Sequence, residues 1–143
     1  MLSEAQRNRL LDAVPSFTRK WEEWRADQAE SEAHGTRRKR SADDLDSEFL
    51  RSLALHVGER VAGGNLDEVD WLFAALDELY REDGAALEAE LTVGFLESLI
   101  HAIEMDGGRG ATVLDAVHMG AYVREEWEVA YAYTHGGIRR DRR

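Results

Sequence analysis

The sequence lacks cysteine altogether and contains a single proline, Pro15. Without cysteine, the chain cannot form a disulfide framework, a thiol nucleophile, a thiolate zinc site or an iron–sulfur cluster. With one proline and little alternation of β-branched residues, it gives almost no support for β-strands. No apolar run approaches the length of about 18 residues that a membrane span needs, and the first residues lack the basic and apolar regions of a signal peptide. We therefore expect a cytoplasmic protein without a membrane partner.

Positive charge is also scarce, and much of it is concentrated in two short runs. The 143 residues include 18 Lys and Arg against 29 Asp and Glu, a formal charge of −11. Outside Arg37–Arg40 and Arg139–Arg143, the other 134 residues carry 10 basic and 28 acidic side chains, a formal charge of −18. Because phosphate contacts need basic patches, this balance argues against direct nucleic-acid binding. We expect one acidic helical domain over residues 1–138, with a basic loop near 35–40, and a flexible basic tail over 139–143.

Capping residues and helix breakers divide the chain into helical segments. Capping boxes formed by Ser3 with Gln6 and by Ser41 with Asp44 predict two helix starts. Ser16 is predicted to cap a second helix, and Asn65 is predicted to cap a fourth helix over 66–83 that ends at Gly84. A fifth helix over Ala85–Met105, a short apolar segment over Val113–Met119 and a last helix over Ala121–Thr134 follow. The connections among the third, fourth and fifth helices are short, which is typical of antiparallel neighbours. We therefore predict an all-α, single-domain bundle of five to seven helices with largely antiparallel neighbours.

The predicted fifth helix is the most apolar and is expected to lie at the centre of the bundle. Its apolar side chains cover about two-thirds of a helical wheel. They are Leu87, Leu91, Val93, Phe95, Leu96, Leu99, Ile100 and Ile103. The thin polar strip that remains holds Glu90, Glu97 and Glu104. We predict that these three glutamates form the solvent edge of the helix and contribute acidic contacts to a partner.

The predicted fourth helix carries the strongest candidate for a binding site. Trp71 lies opposite its apolar face, among acidic residues and two alanines. A rigid aromatic side chain with small neighbours and a charged rim has the composition of a binding hot spot. The predicted partner-binding residues on this helix are Trp71, Asp67, Asp70 and Glu78. The alternative is that the N-terminal helices with Trp21 and Trp24 cover Trp71, since tryptophan is usually largely buried.

Motifs for catalysis or metal binding are weak. Gly107–Gly110 lacks the preceding strand and the Lys-Ser/Thr ending of a phosphate-binding loop, and no nucleophile elbow is present. Glu97 and His101 share one helix face and could supply two metal ligands, as could Asp115 and His118. A di-iron helical bundle, however, needs several more ligands that face inward. We therefore predict no enzymatic activity, no catalytic residue, no metal and no other cofactor.

Two motifs in the middle of the chain carry a resemblance to known proteins: Gly64–Val69, which reads GNLDEV, and Val93–Leu99, which reads VGFLESL. They are similar to motifs of a family of small, uncharacterised, all-helical bacterial proteins. Members of that family resemble immunity proteins, the acidic antidotes that neutralise toxins delivered between bacteria. The sequence departs from the family pattern at Asp77, where the family usually has Glu, and at Arg37–Arg40, which looks like an insertion. The resemblance implies a helical bundle whose partner is a toxin domain.

Three classes of non-enzymatic protein fit these features. An immunity-type inhibitor would cover the basic surface of a bacterial toxin, a task that suits an acidic helical bundle. A phage or bacterial anti-defence protein that mimics DNA would need carboxylates spaced like phosphates. A helical adaptor or assembly subunit would need an exposed apolar patch. We predict the first class, with a basic protein as the partner. The sequence leaves open whether the chain is a monomer or a homodimer.

Overall fold

The computed structural model describes residues 2–35, 41–105 and 117–136 of the chain. Its elements are α1 (Glu4–Ala13), α2 (Pro15–Ala33), α3 (Ala42–Ala62), α4 (Asp67–Leu87), a π-helical segment (Glu88–Leu96), α5 (Glu97–Met105) and α6 (Ala121–Thr134). Within the described ranges there is no β-strand, so the predicted all-α fold is confirmed. None of the described helices is long and apolar enough to cross a membrane. The predicted basic loop at Arg37–Arg40, the basic tail and Asp115 lie outside the described residues.

Both predicted capping boxes are present. At the start of α1, the Gln6 N–H donates to Ser3 Oγ at 3.1 Å, and the Ser3 N–H donates to Gln6 Oε1 at 2.8 Å. The same reciprocal pair joins Ser41 and Asp44 at the start of α3. Each box satisfies two backbone N–H groups that would otherwise lack partners, and this explains why these two helix starts were predictable from four-residue patterns.

Two other predicted caps are wrong. α2 begins at Pro15, because proline is preorganised for the first helical position and needs no N–H partner there, so Ser16 lies inside the helix. Asn65 does not cap α4, whose N-cap is Leu66. Instead, the Asn65 N–H donates to the Arg60 carbonyl at 3.0 Å, which completes a Schellman motif with Gly64 in the left-handed region at φ 73°. Asn65 therefore ends α3 and does not begin α4.

The predicted break near Gly84 is present, whereas the predicted fifth helix needs a correction. The helical path of α4 is interrupted at Asp83 (φ −151°, ψ 32°), next to Gly84, and a second helical stretch runs from there to Leu87, where the π-helical segment begins. In this segment the hydrogen bonds span five residues, as in the bond from the Glu97 N–H to the Thr92 carbonyl. Thr92, which is not among the predicted core residues, is fully buried, whereas Val93, a predicted core residue, is 42% exposed.

The π-helical segment and α5 form the centre of the bundle, as predicted for this stretch. Both contact α3 and α6, and the π-helical segment also contacts α4. The other seven predicted core residues are buried: Leu87, Leu91, Phe95, Leu96, Leu99, Ile100 and Ile103. At one side of this core, Phe17 and Trp21 of α2 pack against Phe49 of α3, with ring centroids 6.0 and 5.1 Å apart. This packing fixes α2 to the outside of α3 and leaves one face of α4 open.

Candidate protein-interaction surface

The open face of α4 carries an exposed tryptophan. Trp71 is 57% exposed and lies in line with Asp67, Ala74 and Glu78, which are also exposed. The opposite face of α4 is buried in the core. We call these four residues the Trp71 face.

The N-terminal helices do not cover the Trp71 side chain. Trp21 is nearly buried and stacks on Trp24, with ring centroids 4.8 Å apart. Both rings belong to the aromatic packing around Phe49 on α3. Of the two arrangements that the sequence leaves open, the structure therefore has the one in which Trp71 is exposed.

The acidic rim of Trp71 is partly used in contacts within the protein. Glu78 and Glu82 both accept hydrogen bonds from the Arg9 guanidinium of α1, at 2.7 and 2.5 Å. Asp70 is half-buried and accepts the His118 N–H at 3.1 Å. These contacts reduce the negative charge that Glu78 and Asp70 offer to a partner. Asp67 is the predicted acidic residue that stands most openly beside Trp71.

The next acidic residue on α4, Glu68, belongs to a network that joins three helices. Its two carboxylate oxygens accept the backbone N–H of Ser16, at 2.9 Å, and the Ser16 hydroxyl. Burial alone would raise the pKa of the Glu68 carboxyl. The two hydrogen bonds from Ser16 act in the opposite direction, and the pKa lies below its ordinary value. Ser16 thus lies in α2 and binds α4, a role that its position in the sequence did not suggest.

The same network contains a histidine whose hydrogen bonds define one tautomer. Because the Ser16 hydroxyl donates to Glu68, it accepts from Nε2–H of His56 at 2.8 Å. The other ring nitrogen, Nδ1, then accepts from Lys20 Nζ at 3.2 Å. His56 is 5% exposed, and burial, with Lys20 and Arg60 nearby, lowers its pKa.

This network differs in direction from a serine hydrolase triad. In a triad, the histidine accepts the serine proton and an acid orients the imidazole from its far side. Here Glu68 accepts the Ser16 proton, and a lysine occupies the far side of His56. The network therefore links α2, α3 and α4 through hydrogen bonds, and this is a structural role. No local sequence pattern indicates this network, since Ser16 lies 40 and 52 positions from its partners.

A second contact from α4 supports the start of α6. Asp77 accepts the Val123 N–H at 3.0 Å, and so caps a helix that has no side-chain cap of its own. Gly120, the N-cap of α6, lies so close that an added Cβ would be 2.3 Å from the Asp77 carboxyl carbon. The shorter Asp at the position where similar proteins are expected to have Glu is therefore fitted into a close contact between α4 and α6.

The predicted acidic strip of Glu90, Glu97 and Glu104 does not form one solvent edge. All three residues are half-buried, and α3 and α6 pack against the two elements that carry them. Glu104 accepts from His135 Nε2 at 2.8 Å and so links α5 to the end of α6. Glu90 lies on the π-helical segment and Glu97 and Glu104 lie on α5, whereas the Trp71 face lies on α4, so the predicted site residues do not share one helix face.

Metal ligands do not cluster in the described part of the chain. Among the described residues, no group of three or more His, Asp or Glu side chains could hold a metal ion. The pair of Glu97 and His101 therefore has no third ligand there. Asp115, the partner predicted for His118, lies outside the described residues.

The fold and the exposed face define a small, acidic, all-helical protein with an aromatic side chain available for contact. Residues 7–113, more than half of the chain, match a family described as a domain of unknown function, DUF7674. The chain belongs to the DUF7674 family. No curated protein and no solved structure matches it. The match ends before α6, although Trp127 of that helix is fully buried in the core.

Proposed function

We propose that this protein is a non-enzymatic binding module that covers a basic surface of another protein, and specifically an immunity-type inhibitor of a bacterial toxin. The observation that carries the proposal is the Trp71 face. A tryptophan that is 57% exposed on a rigid helix is an aromatic anchor, a residue type enriched in binding hot spots.

The charge of the chain supports a basic partner. Outside the two basic runs the formal charge is −18 over 134 residues. Such a field steers a positively charged protein toward the surface and raises its association rate. Ala74, next to Trp71 on the exposed face, leaves room for a partner side chain beside the indole. Toxins that act on nucleic acids present basic clefts, which is the reason for placing a toxin among the partners.

The proposal is tested with two matched variants of exposed aromatic residues. Trp71→Ala removes the proposed anchor, and Tyr122→Ala removes a side chain that is 48% exposed on α6, outside the Trp71 face. Immobilised wild-type protein and both variants are exposed to extracts of the native host, and bound proteins are identified by mass spectrometry. We expect a basic protein that binds wild type and Tyr122→Ala but is lost with Trp71→Ala.

The inhibitor role is then tested by growth. The captured protein is expressed alone and together with each form of this chain. We expect it to arrest growth alone, and wild type and Tyr122→Ala to relieve the arrest while Trp71→Ala does not. A captured partner that is harmless when expressed alone would contradict the inhibitor role. Equal binding by all three forms would contradict the assignment of the site to Trp71.

A further inference from the structure

A groove runs along the seam between α3 and the two elements that pack on it, the π-helical segment and α5. Two cavities of about 550 and 370 Å³ open on this seam. Both are lined by Arg51 of α3 and Ser98 of α5, so they lie next to each other along the seam. We call the combined depression the α3–α5 groove. It contains no residue of the Trp71 face.

One end of the groove is acidic. Asp43 and Asp44 from the first turn of α3, together with Glu48 and Glu90, line the larger cavity. Arg51 neutralises part of this charge through its hydrogen bond to Glu48 at 2.5 Å. Asp43 and Asp44 are exposed, so their charge faces the open side of the groove.

The other end of the groove is apolar. Leu55 of α3 and Met105 of α5 line the smaller cavity and are 55% and 75% exposed. Between them, Gly58 and Ala102 bring the helices close together, since a Cβ on Gly58 would lie 3.3 Å from the Ala102 Cβ. Small residues at the floor and large exposed apolar side chains at the sides form a surface that can receive the apolar face of a third helix. Methionine suits such a surface because its unbranched thioether adapts to different neighbours.

We propose that the α3–α5 groove binds an amphipathic helix of another protein, with basic residues over the acidic end and apolar residues over Leu55 and Met105. The distance from Asp44 to Leu55 along α3 is about 16 Å at 1.5 Å per residue, so about three helical turns span it. The arrangement of charge selects a basic occupant. A second copy of this chain presents an acidic body, and its charge disfavours it as the occupant. This inference goes beyond the proposed function, because it assigns a docking surface on helices that the Trp71 face does not include.

The groove is tested by nuclear magnetic resonance on the full chain with a defined probe. The probe is a synthetic helical peptide of about 14 residues, with Lys at helical spacing in one half and Leu in the other. The control peptide has Glu in place of Lys. We expect amide shifts from the Lys peptide to concentrate on α3, the π-helical segment and α5, and to weaken as ionic strength rises. The Glu peptide is expected to leave the spectrum unchanged.

Two variants make the test specific. The first variant combines Leu55→Gln with Met105→Gln. Both side chains are exposed, so we expect the fold to be retained, and circular dichroism is the measurement that checks this. We expect this double variant to bind the Lys peptide at least about tenfold more weakly, as for loss of a pair of apolar anchors. Tyr122→Gln changes an exposed aromatic residue of α6 outside the groove and is expected to bind as wild type does.

Four outcomes would each overturn the groove assignment. They are amide shifts centred on α4, amide shifts spread over the whole surface, unchanged binding of the Lys peptide by the double variant, and no binding of the Lys peptide at all. None of these outcomes depends on the partner of the Trp71 face. Conversely, the Lys peptide could bind in the groove while Trp71→Ala captures the same proteins as wild type. That result would support the groove assignment and contradict the proposed function.

Discussion

At the scale of single residues, burial separates side chains of the same type into structural and exposed roles. Trp127 is fully buried, whereas Trp71 is 57% exposed, and both lie on amphipathic helices in an acidic sequence. The helical wheel placed Trp71 on the outer face of its helix, but the sequence could not determine whether another element covers it. That answer depends on where α2 packs, which is set by contacts of Phe17 and Trp21 with Phe49.

We predict that Trp71→Ala changes the free energy of unfolding by less than about 1 kcal/mol, as is usual for exposed positions. Phe95→Ala serves as the buried comparison. Phe95 is fully buried, and truncating a buried phenylalanine costs about 3–5 kcal/mol. Urea unfolding followed by circular dichroism measures both values. A loss of several kcal/mol for Trp71→Ala would show that the indole belongs to the core.

A second residue-scale prediction concerns the contact between Asp77 and Gly120. Gly120→Ala would force the Asp77 carboxylate to move, because the added Cβ would lie 2.3 Å from its carbon. The move breaks the cap on Val123, and loss of a helix cap costs about 0.5–2 kcal/mol. Asp77→Ala removes the same cap directly. We therefore expect the two substitutions to be non-additive in a double-mutant cycle of unfolding free energies. Fully additive losses would mean that Gly120 and Asp77 act independently.

At the scale of secondary-structure elements, local patterns predicted some boundaries and missed others for identifiable reasons. The starts at Ser3 and Ser41 were predictable because both partners of each capping box lie within four residues. Asn65 was misassigned because the backbone at the end of α3 uses its N–H. The π-helical segment was missed because its buried side chains also fit an α-helical wheel, and the difference lies in its backbone hydrogen bonds, such as the one from the Glu97 N–H to the Thr92 carbonyl.

The candidate site shows the same division. The composition of the Trp71 face could be read from one helix, and so its outward direction was predicted correctly. The contacts that bind Glu78 to α1 and Glu68 to α2 join residues more than 50 positions apart. No local pattern indicates such pairs, so their carboxylates were counted as part of an open acidic rim.

An element-scale prediction follows from the network that joins α2, α3 and α4. Burial, with Lys20 and Arg60, lowers the pKa of His56 below its unfolded value of 6.5. The unfolded chain therefore binds a proton more readily than the folded protein. Stability from this residue is fully present above pH 6.5, and it is lost as the pH falls from there through the lower, folded pKa. We expect His56→Gln to reduce the dependence of unfolding free energy on pH in that window.

The control for this measurement is His135→Gln. A hydrogen bond to the Tyr131 carbonyl, and then the contact with Glu104, raise the pKa of His135. Its contribution has the opposite sign, since it is present below pH 6.5 and is lost as the pH rises through the higher, folded pKa. His135 is on the surface, where solvent screens the effect. A wild-type protein that gains stability on acidification below pH 6.5, with His56→Gln unchanged, would contradict the account of the network.

At the scale of the whole molecule, acidic side chains outnumber basic ones. Some of the basic side chains form ion pairs with carboxylates of the protein itself. Arg7 pairs with Asp46 at 2.9 Å, and Arg9 pairs with Glu78 and Glu82. These pairs fix α1 to α3 and α4, while the exposed acids on α2 and α3 remain available for long-range attraction. The charge thus acts on the rate of encounter with a partner, and the Trp71 indole acts on the lifetime of the complex.

This division of roles gives a prediction for Asp67, which stands beside Trp71. Asp67→Asn removes one exposed charge and leaves the indole in place. We expect it to lower the association rate with a basic partner and to weaken the dependence of that rate on salt, with little change in dissociation. Surface plasmon resonance at several ionic strengths measures both rates. A large increase in the dissociation rate would show that Asp67 makes a buried contact in the complex.

The central claim is that Trp71 anchors a basic protein on an acidic helical bundle. The most direct test is the dissociation rate of the captured partner from wild type, Trp71→Ala and Tyr122→Ala, measured on samples whose unfolding free energies have been shown to be equal. The account predicts that Trp71→Ala weakens binding by about 30-fold, equivalent to about 2 kcal/mol, mainly through faster dissociation, and that Tyr122→Ala matches wild type. Equal dissociation rates for all three proteins would contradict it.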